Sequence, residues 1–180
     1  MIIGIDPGWA SFGLATVDAE GNYRTGFSDE PRRLGTYDFL DEMWDKAHRF
    51  AIPGTEEHTY KTDPKYKITD AYIERYVSYG GVTTDPEMIL MFIGAMKYFL
   101  EMKGVNVHMV RAIDWKPKVC KYLVRTKKFN NPFPSFDKKY SVLAAQELSG
   151  ITCGVNHEAD AICLAYLKRI DDYNASKSAK

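Results

Sequence analysis

The chain is poor in cysteine and has no long apolar run. Its 180 residues include three cysteines, with no CxxC pair, which is typical of reduced thiols in a cytoplasmic protein. The most apolar stretch, residues 88–100, is interrupted by Lys97 and is shorter than the roughly 20 residues of a membrane-spanning helix. No secretory signal pattern precedes the first apolar run. We therefore expect a cytoplasmic protein that is neither disulfide-built nor embedded in a membrane.

The chain also lacks net charge, because 24 basic residues balance 24 acidic ones. The charges are nevertheless segregated along the sequence. Residues 111–139 hold nine basic and two acidic residues, a balance of plus seven, whereas residues 29–58 hold eight acidic and four basic residues, or minus four. A concentrated positive segment can neutralise nucleic-acid phosphates, although a lysine-rich segment is more often a solvated helix face. The charge pattern thus permits a nucleic-acid partner without requiring one.

The hydrophobic pattern predicts a single α/β domain over residues 1–170, followed by a flexible polar tail over residues 171–180. Short apolar runs separated by turn signals predict an antiparallel meander of three strands. They cover residues 1–6, 12–17 and 23–27. Later strands are predicted over residues 68–76 and 105–110, and helices over residues 36–50, 85–103, 114–124, 137–148 and 157–170. Residues 53–67 form a long predicted loop.

Three acidic side chains lie in apolar surroundings. Asp6 ends an apolar strand, Glu74 interrupts a strand and Asp160 lies on an otherwise apolar helix. Ionised carboxylates in such places need a partner, which an arginine or a shared divalent cation can supply. Magnesium suits them because it takes hard oxygen ligands and keeps positions for phosphate and water. Each residue alone also has an ordinary explanation, as a turn residue, an exposed strand position or a helix N-terminal carboxylate.

A histidine stands close to the third of these carboxylates. His157 and Asp160 are three residues apart on the predicted last helix, so they lie about 60° apart and project toward the same side. Glu158 lies about 160° from Asp160 around the same axis. We therefore expect the histidine, and not the neighbouring glutamate, to share the site. A neutral imidazole can bind a metal or accept a proton, and a protonated one can donate to a leaving group.

Three sequence blocks in order resemble those of the RuvC-type Holliday junction resolvases. They are Gly4-Ile5-Asp6-Pro7-Gly8 followed by Gly13, then Ala71-Tyr72-Ile73-Glu74, then His157-Glu158-Ala159-Asp160-Ala161. The first block alone is also typical of sugar kinases and actin-like ATPases, whereas the ordered set is more specific. The resemblance covers most of residues 1–170. It implies a ribonuclease H-like fold, with a mixed five-stranded sheet that continues from an antiparallel meander into parallel strands and is flanked by helices.

The resemblance also implies a function and a set of site residues. It implies a Mg²⁺-dependent endonuclease, with Mn²⁺ able to substitute, that cuts four-way DNA junctions as a homodimer. Asp6, Glu74 and Asp160 would be catalytic carboxylates and metal ligands, and His157 would be the fourth catalytic and metal-binding residue. Lys118 and Lys139 most resemble the family's lysines near the scissile phosphate. The whole predicted DNA-binding set is Lys116, Lys118, Lys121, Arg125, Lys127, Lys128, Lys138 and Lys139.

Aromatic residues and an expanded segment bear on DNA recognition. Phe129, Phe133 and Phe136 beside the positive segment either stack on exposed bases or anchor a loop in the core. The family often has an aromatic residue three positions after its glutamate, where this chain has Val77. Tyr76 and Tyr79 are the nearby aromatic candidates for that role. The segment before Glu74 is longer than the resemblance implies, which concerns cut-site preference and junction opening more than hydrolysis.

Three alternative functions stay open at the level of sequence. Flaps, forks and RNA hybrids are substrates of the same hydrolytic chemistry. An actin-like ATPase could carry the first block, although the chain is short for two such lobes and shows no second phosphate-binding glycine block. A DNA-binding scaffold without catalysis would keep the fold and bind junctions with no effect of Mg²⁺ or Mn²⁺. Cleavage and ATP-binding assays separate these possibilities.

Overall fold

The computed structural model describes residues 1–8, 11–29, 31, 36–49, 66–76, 86–126, 128–129 and 138–178. Its strands are β1 (Ile2–Asp6), β2 (Phe12–Val17), β3 (Tyr23–Asp29), β4 (Asp70–Glu74) and β5 (Asn106–Val110). Its helices are α1 (Thr36–Arg49), α2 (Pro86–Met102), α3 (Ala112–Arg125), α4 (Lys138–Ser149), α5 (Asn156–Ala165) and α6 (Leu167–Ser178). No helix in this described part is long and apolar enough to cross a membrane.

The five strands form one mixed sheet in the order β3-β2-β1-β4-β5. The first three strands pair antiparallel, whereas β4 pairs parallel with both β1 and β5. The predicted meander followed by parallel strands is therefore confirmed. Ile5 lies opposite Ile73 in the parallel pair. The next residues, Asp6 and Glu74, are the last of β1 and β4, so they lie side by side at the carboxyl ends of adjacent strands.

Two apolar layers enclose the sheet, because successive strand residues point to opposite faces. On one face, Ile3, Ile5 and Phe12 pack with buried residues of α1 and α2. On the other face, Ala15 and Val17 pack with α3, α4, α5 and α6. The sheet is therefore covered by helices on both sides, which is the arrangement that parallel strands require.

Helix α5 lies unusually close to β1 and β2 because small residues meet there. A Cβ atom added to Gly4 would lie 2.0 Å from the carbonyl oxygen of Ala161, and one added to Gly13 would lie 2.0 Å from that of His157. Three buried alanines, Ala159, Ala161 and Ala165, belong to α5. The glycines thus let the helix backbone rest on the sheet, and this contact fixes the position of the residues that α5 carries.

The C-terminal end differs from the sequence prediction in two ways. The predicted helix over residues 157–170 is broken at Tyr166, which caps the end of α5 with its N–H bonded to the carbonyl oxygens of Ile162 and Leu164. A second helix, α6, then continues to Ser178, so residues 171–178 are helical where a frayed tail was predicted. The apolar residues run on across Tyr166, and periodicity alone therefore gave no sign of the break. Except for residues 66 and 67, the predicted loop over residues 53–67 lies outside the described residues.

Candidate active site

The four predicted site residues meet at one end of the sheet, where β1 and β4 terminate. Asp6 and Glu74 come from the ends of β1 and β4, and His157 and Asp160 come from the first turn and middle of α5. The negative charge of Asp6 acts on the carboxyl groups of both Glu74 and Asp160. Residues that are far apart in sequence therefore form one electrostatic cluster.

Asp6 and His157 are in direct contact. Nδ1 of His157 lies 2.6 Å from Oδ2 of Asp6, and the side chains are 41% and 17% exposed, respectively. A carboxylate that accepts a hydrogen bond from one imidazole nitrogen fixes both the orientation and the tautomer of the ring. The contact confirms the predicted side for His157. Glu158 instead points to Tyr23, whose hydroxyl donates to Oε1 of the glutamate at 3.4 Å.

Glu74 is the most perturbed carboxyl group of the cluster. Burial raises its pKa to about 7, and the negative charge of Asp6 acts in the same direction. The indole N–H of Trp115 opposes the shift by donating to Oε2 of Glu74 at 2.8 Å. At neutral pH and without a cation, this carboxyl group therefore holds a proton for much of the time.

Asp160 is held by a lysine and has one buried oxygen. Nζ of Lys116 lies 3.4 Å from Oδ2 of Asp160. Burial raises the pKa of the Asp160 carboxyl group, and the positive charge of Lys116 works against that increase. Oδ1 is buried and meets no donor in standard hydrogen-bond geometry among the described residues, and the Ser141 hydroxyl, which bonds to this carboxyl group, acts with Lys116 to lower its pKa. A buried carboxylate oxygen without a well-aligned donor is costly, and a bound cation would remove that cost.

The residue types of the cluster are ones that magnesium takes as ligands, although they are not arranged around a common point. Three carboxylates supply hard oxygen ligands, Oδ1 of Asp160 is available as an acceptor, and a cation would offset the burial and the repulsion from Asp6 that raise the pKa of Glu74. Within the described residues, however, no group of three or more His, Cys, Asp or Glu side chains is already arranged to hold a metal. Each carboxylate instead has a protein partner. Asp6 contacts His157, Glu74 accepts from Trp115, and Asp160 accepts from Lys116.

The raised pKa of Glu74 predicts a pH dependence of stability. Without divalent cations, the free energy of unfolding should fall as pH rises from 4.5 toward about 7, because the folded state binds the Glu74 proton more tightly than the unfolded state does. We expect a contribution on the order of 2 kcal/mol, complete below the unfolded pKa and lost above the folded one. Urea unfolding in EDTA across this range measures it.

The matched variant for this prediction is Glu74→Gln. Its amide oxygen still accepts from Trp115, but it cannot titrate, so its unfolding free energy should vary less with pH. Part of the slope should persist, since the pKa of Asp160 is raised as well. Identical slopes in the two proteins would contradict the assignment of the perturbed carboxyl group.

The predicted DNA-binding residues fall into different environments. Lys116 lies beside Asp160, whereas Nζ of Lys118 lies 3.0 and 3.2 Å from the carboxylate oxygens of Asp171 on α6. Lys116 and Lys118 are two positions apart, which corresponds to about 200° around the helix axis. Only one of these lysines can therefore face the site. The structure therefore places Lys116, and not Lys118, next to the carboxylates, two residues from the register that the resemblance favoured.

The other predicted DNA-binding residues belong to α3, to α4 or to the sequence between them. Lys121 and Lys139 are exposed, Arg125 donates to Oδ1 of Asn174 at 2.9 Å, and Lys128 donates to the carbonyl oxygen of Glu147. Lys138 begins α4, and Lys127 lies outside the described residues. Phe129 packs against the buried cluster to which α3 and α4 contribute, as the core-anchoring interpretation predicts, while Phe133 and Phe136 also lie outside the described residues.

The sequence did not single out Trp115. Its side chain is 1% exposed and belongs to a buried stripe with Val119 and Leu123, spaced four residues apart on α3. That spacing predicts a core position, and a buried indole N–H needs an acceptor. The sequence thus signals that Trp115 has a polar partner but not which residue that partner is.

Solved structures of RuvC share this fold. No protein-family model and no curated protein sequence matches the chain. The RuvC structure from Thermus thermophilus covers 97% of this chain and 96% of its own, with a TM-score of 0.63 and 16% sequence identity. T. thermophilus RuvC in complex with a Holliday junction substrate covers 96% and 95%, with a TM-score of 0.61 and 16% identity. The chain therefore has the ribonuclease H-like fold of RuvC, as the sequence resemblance implied.

Proposed function

We propose that this protein is a Mg²⁺-dependent, structure-selective DNA endonuclease that resolves four-way junctions. The observation that carries the proposal is the meeting of Asp6, Glu74, Asp160 and His157 at the carboxyl ends of β1 and β4. The shared fold with RuvC, one of whose structures contains a Holliday junction substrate, supports the choice of substrate. Mn²⁺ should substitute for Mg²⁺, because it accepts the same oxygen ligands.

The chain's own residues have distinct parts in phosphodiester hydrolysis. Asp6, Glu74 and Asp160 would hold the ions, which when bound activate a water and stabilise the leaving oxygen. Asp6 also orients the imidazole of His157 through Nδ1, so that the ring can accept or donate a proton at Nε2. Lys116 adds a positive charge next to Asp160, where the scissile phosphate would approach.

Basic residues on α3 and α4 would bind the DNA backbone. Lys121 and Lys139 are exposed, and Lys118 could exchange Asp171 for a phosphate, since an exposed ion pair contributes little. Affinity should accordingly fall as salt concentration rises, because each neutralised phosphate releases counterions. The side chains of Lys118 and Asp171 are 49% and 45% exposed, respectively, so both are accessible to such an exchange.

A cleavage panel tests the proposed function. Purified protein is incubated with a four-way junction, a fork, a flap and an RNA–DNA hybrid of matched arm length, in EDTA, Mg²⁺ or Mn²⁺. Metal-dependent cleavage of the junction at paired sites supports the proposal. Preference for forks or flaps would retain a nuclease but overturn the junction assignment. Junction binding without metal-dependent cleavage would indicate a DNA-binding scaffold, and ATP binding would favour an actin-like ATPase.

We extend the proposal to a homodimer, since opposed cuts across a two-fold junction require two sites. Leu90, Gly94, Tyr98 and Met102 recur every four residues along the exposed side of α2. The three side chains of this stripe are 55%, 67% and 69% exposed. An exposed apolar stripe of this kind is typical of an interaction surface, and a second copy would cover it with its own stripe.

The variant Tyr98→Asp should convert this dimer to a monomer, because it would place two charges in the apolar contact. Sedimentation velocity would show the change in mass, and the monomer should lose paired cuts on a junction. The matched control is Tyr37→Asp on α1, where the tyrosine is 83% exposed and lies outside the stripe. A wild-type protein that sediments as a monomer, or a Tyr98→Asp variant that remains a dimer, would contradict this interface.

The cysteines are consistent with a cytoplasmic location, which forms part of the proposal. Cys120, Cys153 and Cys163 are all free thiols. Burial raises the pKa values of Cys120 and Cys153 to about 11, so their reactive thiolate forms are rare at neutral pH. A reducing compartment that contains DNA would suit these residues.

A further inference from the structure

We propose that Trp115 is a positioning residue that holds the Glu74 carboxylate in place for metal binding. The inference rests on the proposed metal-dependent function and adds a residue that contacts neither metal nor DNA. It begins from the hydrogen bond between Nε1 of Trp115 and Oε2 of Glu74, at 2.8 Å. Indole N–H is a donor only, and an ionised carboxylate is the strongest acceptor it can meet.

The chemistry of the pair suits a supporting role. A carboxylate has two oxygens, and the indole engages Oε2, so the group can use Oε1 toward a cation. A hydrogen bond to one oxygen restricts rotation of the terminal carboxylate torsion, which is otherwise broad. Groups that orient metal ligands in this way commonly determine how tightly the metal binds.

The indole itself is rigidly placed. Trp115 is 1% exposed, and it shares the buried face of α3 with Val119 and Leu123, which are fully buried. The backbone N–H groups of Asp114 and Trp115 both donate to the carbonyl oxygen of Arg111 and so anchor the first turn of the helix. A donor on such a helix is fixed more precisely than one on a loop.

The same turn of α3 also reaches the carboxylate that α5 brings to the site. Lys116, the next residue, bonds to Asp160, and its Nζ lies 5.1 Å from the centroid of the Trp115 ring. Two consecutive residues thus engage two carboxylates that arrive from β4 and α5. A tryptophan that served packing alone could satisfy its N–H with any nearby carbonyl oxygen, whereas this one engages a predicted metal ligand.

Loss of the indole N–H should weaken metal binding and leave junction affinity in EDTA unchanged. Removal of a group that orients a metal ligand commonly costs about 10- to 100-fold in metal affinity. We expect Trp115→Phe to reduce Mn²⁺ affinity by about that factor and to raise the half-saturating Mg²⁺ concentration for cleavage in parallel. Junction affinity in EDTA should stay unchanged, because Trp115 is buried and contributes no charge.

The test is an Mn²⁺ titration of the DNA-free protein followed by electron paramagnetic resonance, in which free and bound Mn²⁺ are counted directly. The matched control is Leu123→Ala, which removes buried volume from the same face of α3 two turns away without touching a carboxylate. It should lower the unfolding temperature and keep the Mn²⁺ affinity. Site-specific replacement of Trp115 by benzothienylalanine, which keeps the ring shape but lacks the N–H, serves if the phenylalanine variant does not fold.

Each outcome decides the proposal. Weaker Mn²⁺ binding in Trp115→Phe or in the analogue, with normal binding in Leu123→Ala, supports a positioning role. Equal affinity in the unaltered protein and in a folded protein lacking the N–H overturns it and leaves the proposed function intact. Equal loss of affinity in both variants reduces Trp115 to a structural residue. If the unaltered protein binds no Mn²⁺ and cleaves nothing, the proposed function itself fails and the positioning role fails with it.

Discussion

The variant Asp6→Asn should lose at least about 10³-fold in junction cleavage, because it removes a charged oxygen ligand from the ions that stabilise the transition state. The substitution is nearly isosteric, and the amide can still accept a hydrogen bond from Nδ1 of His157, whose contact with Asp6 is 2.6 Å. The fold should therefore survive. Removal of a negative charge near the DNA should leave junction affinity equal or slightly higher.

The measurement is single-turnover cleavage of a labelled junction in Mg²⁺, with affinity determined separately in EDTA. Asp41→Asn on α1 is the matched control, since Asp41 is exposed on a helix that lies across the sheet from α5. That variant should cleave at the normal rate. Cleavage by Asp6→Asn at a rate close to that of the unaltered protein would remove Asp6 from the catalytic group.

The variant Gly4→Ala should destabilise the protein by about 3 kcal/mol or more. The added methyl carbon would lie 2.0 Å from the carbonyl oxygen of Ala161 and 2.4 Å from the backbone nitrogen of Ala165. Neither backbone atom can move alone, so α5 must shift away from β1. Because α5 carries His157 and Asp160, displacement by about 1 Å should also reduce cleavage by roughly 10²-fold in molecules that still fold.

Chemical denaturation and cleavage of the folded fraction test both effects. Gly154→Ala is the control, because Gly154 lies in the bend just before α5 and a Cβ there meets nothing within 4 Å. Its unfolding free energy should change by less than about 0.5 kcal/mol. If Gly4→Ala were as stable and active as Gly154→Ala, the close contact between α5 and the sheet would not be the feature that positions the site.

The sequence predicted much of the fold because its local signals agreed with its tertiary structure. Strand β2 was predicted with its observed bounds, and α1 was predicted from its observed first residue, Thr36. The family resemblance implied parallel strands after the meander, and β4 and β5 do pair in parallel. The interruption at Tyr166 was missed, since the C-cap depends on how the chain turns against the core and apolar periodicity continues across it.

The candidate site was predictable where it depended on helical geometry. The three-residue spacing placed His157 and Asp160 on one side and turned Glu158 away, and the structure confirms both directions. The resemblance favoured Lys118 as the lysine near the scissile phosphate, whereas Lys116 is the one that contacts Asp160. Lys116, Lys118 and Lys121 project from the same amphipathic helix in different directions. Which of them faces the site therefore depends on how the helix packs.

The sequence by itself determined which acidic groups lie in apolar surroundings. It also determined that His157 projects from the same side of its helix as Asp160. These features depend only on residue type and on the fixed periods of strands and helices, so they can be read without knowing how the elements pack. Only the tertiary structure decided what holds each carboxylate: the imidazole for Asp6, the indole of Trp115 for Glu74 and Lys116 for Asp160. The physical reason is that these partners come together only when glycines 4 and 13 let α5 settle on the sheet and α3 packs beside it, and no local pattern encodes distances between elements so far apart along the chain.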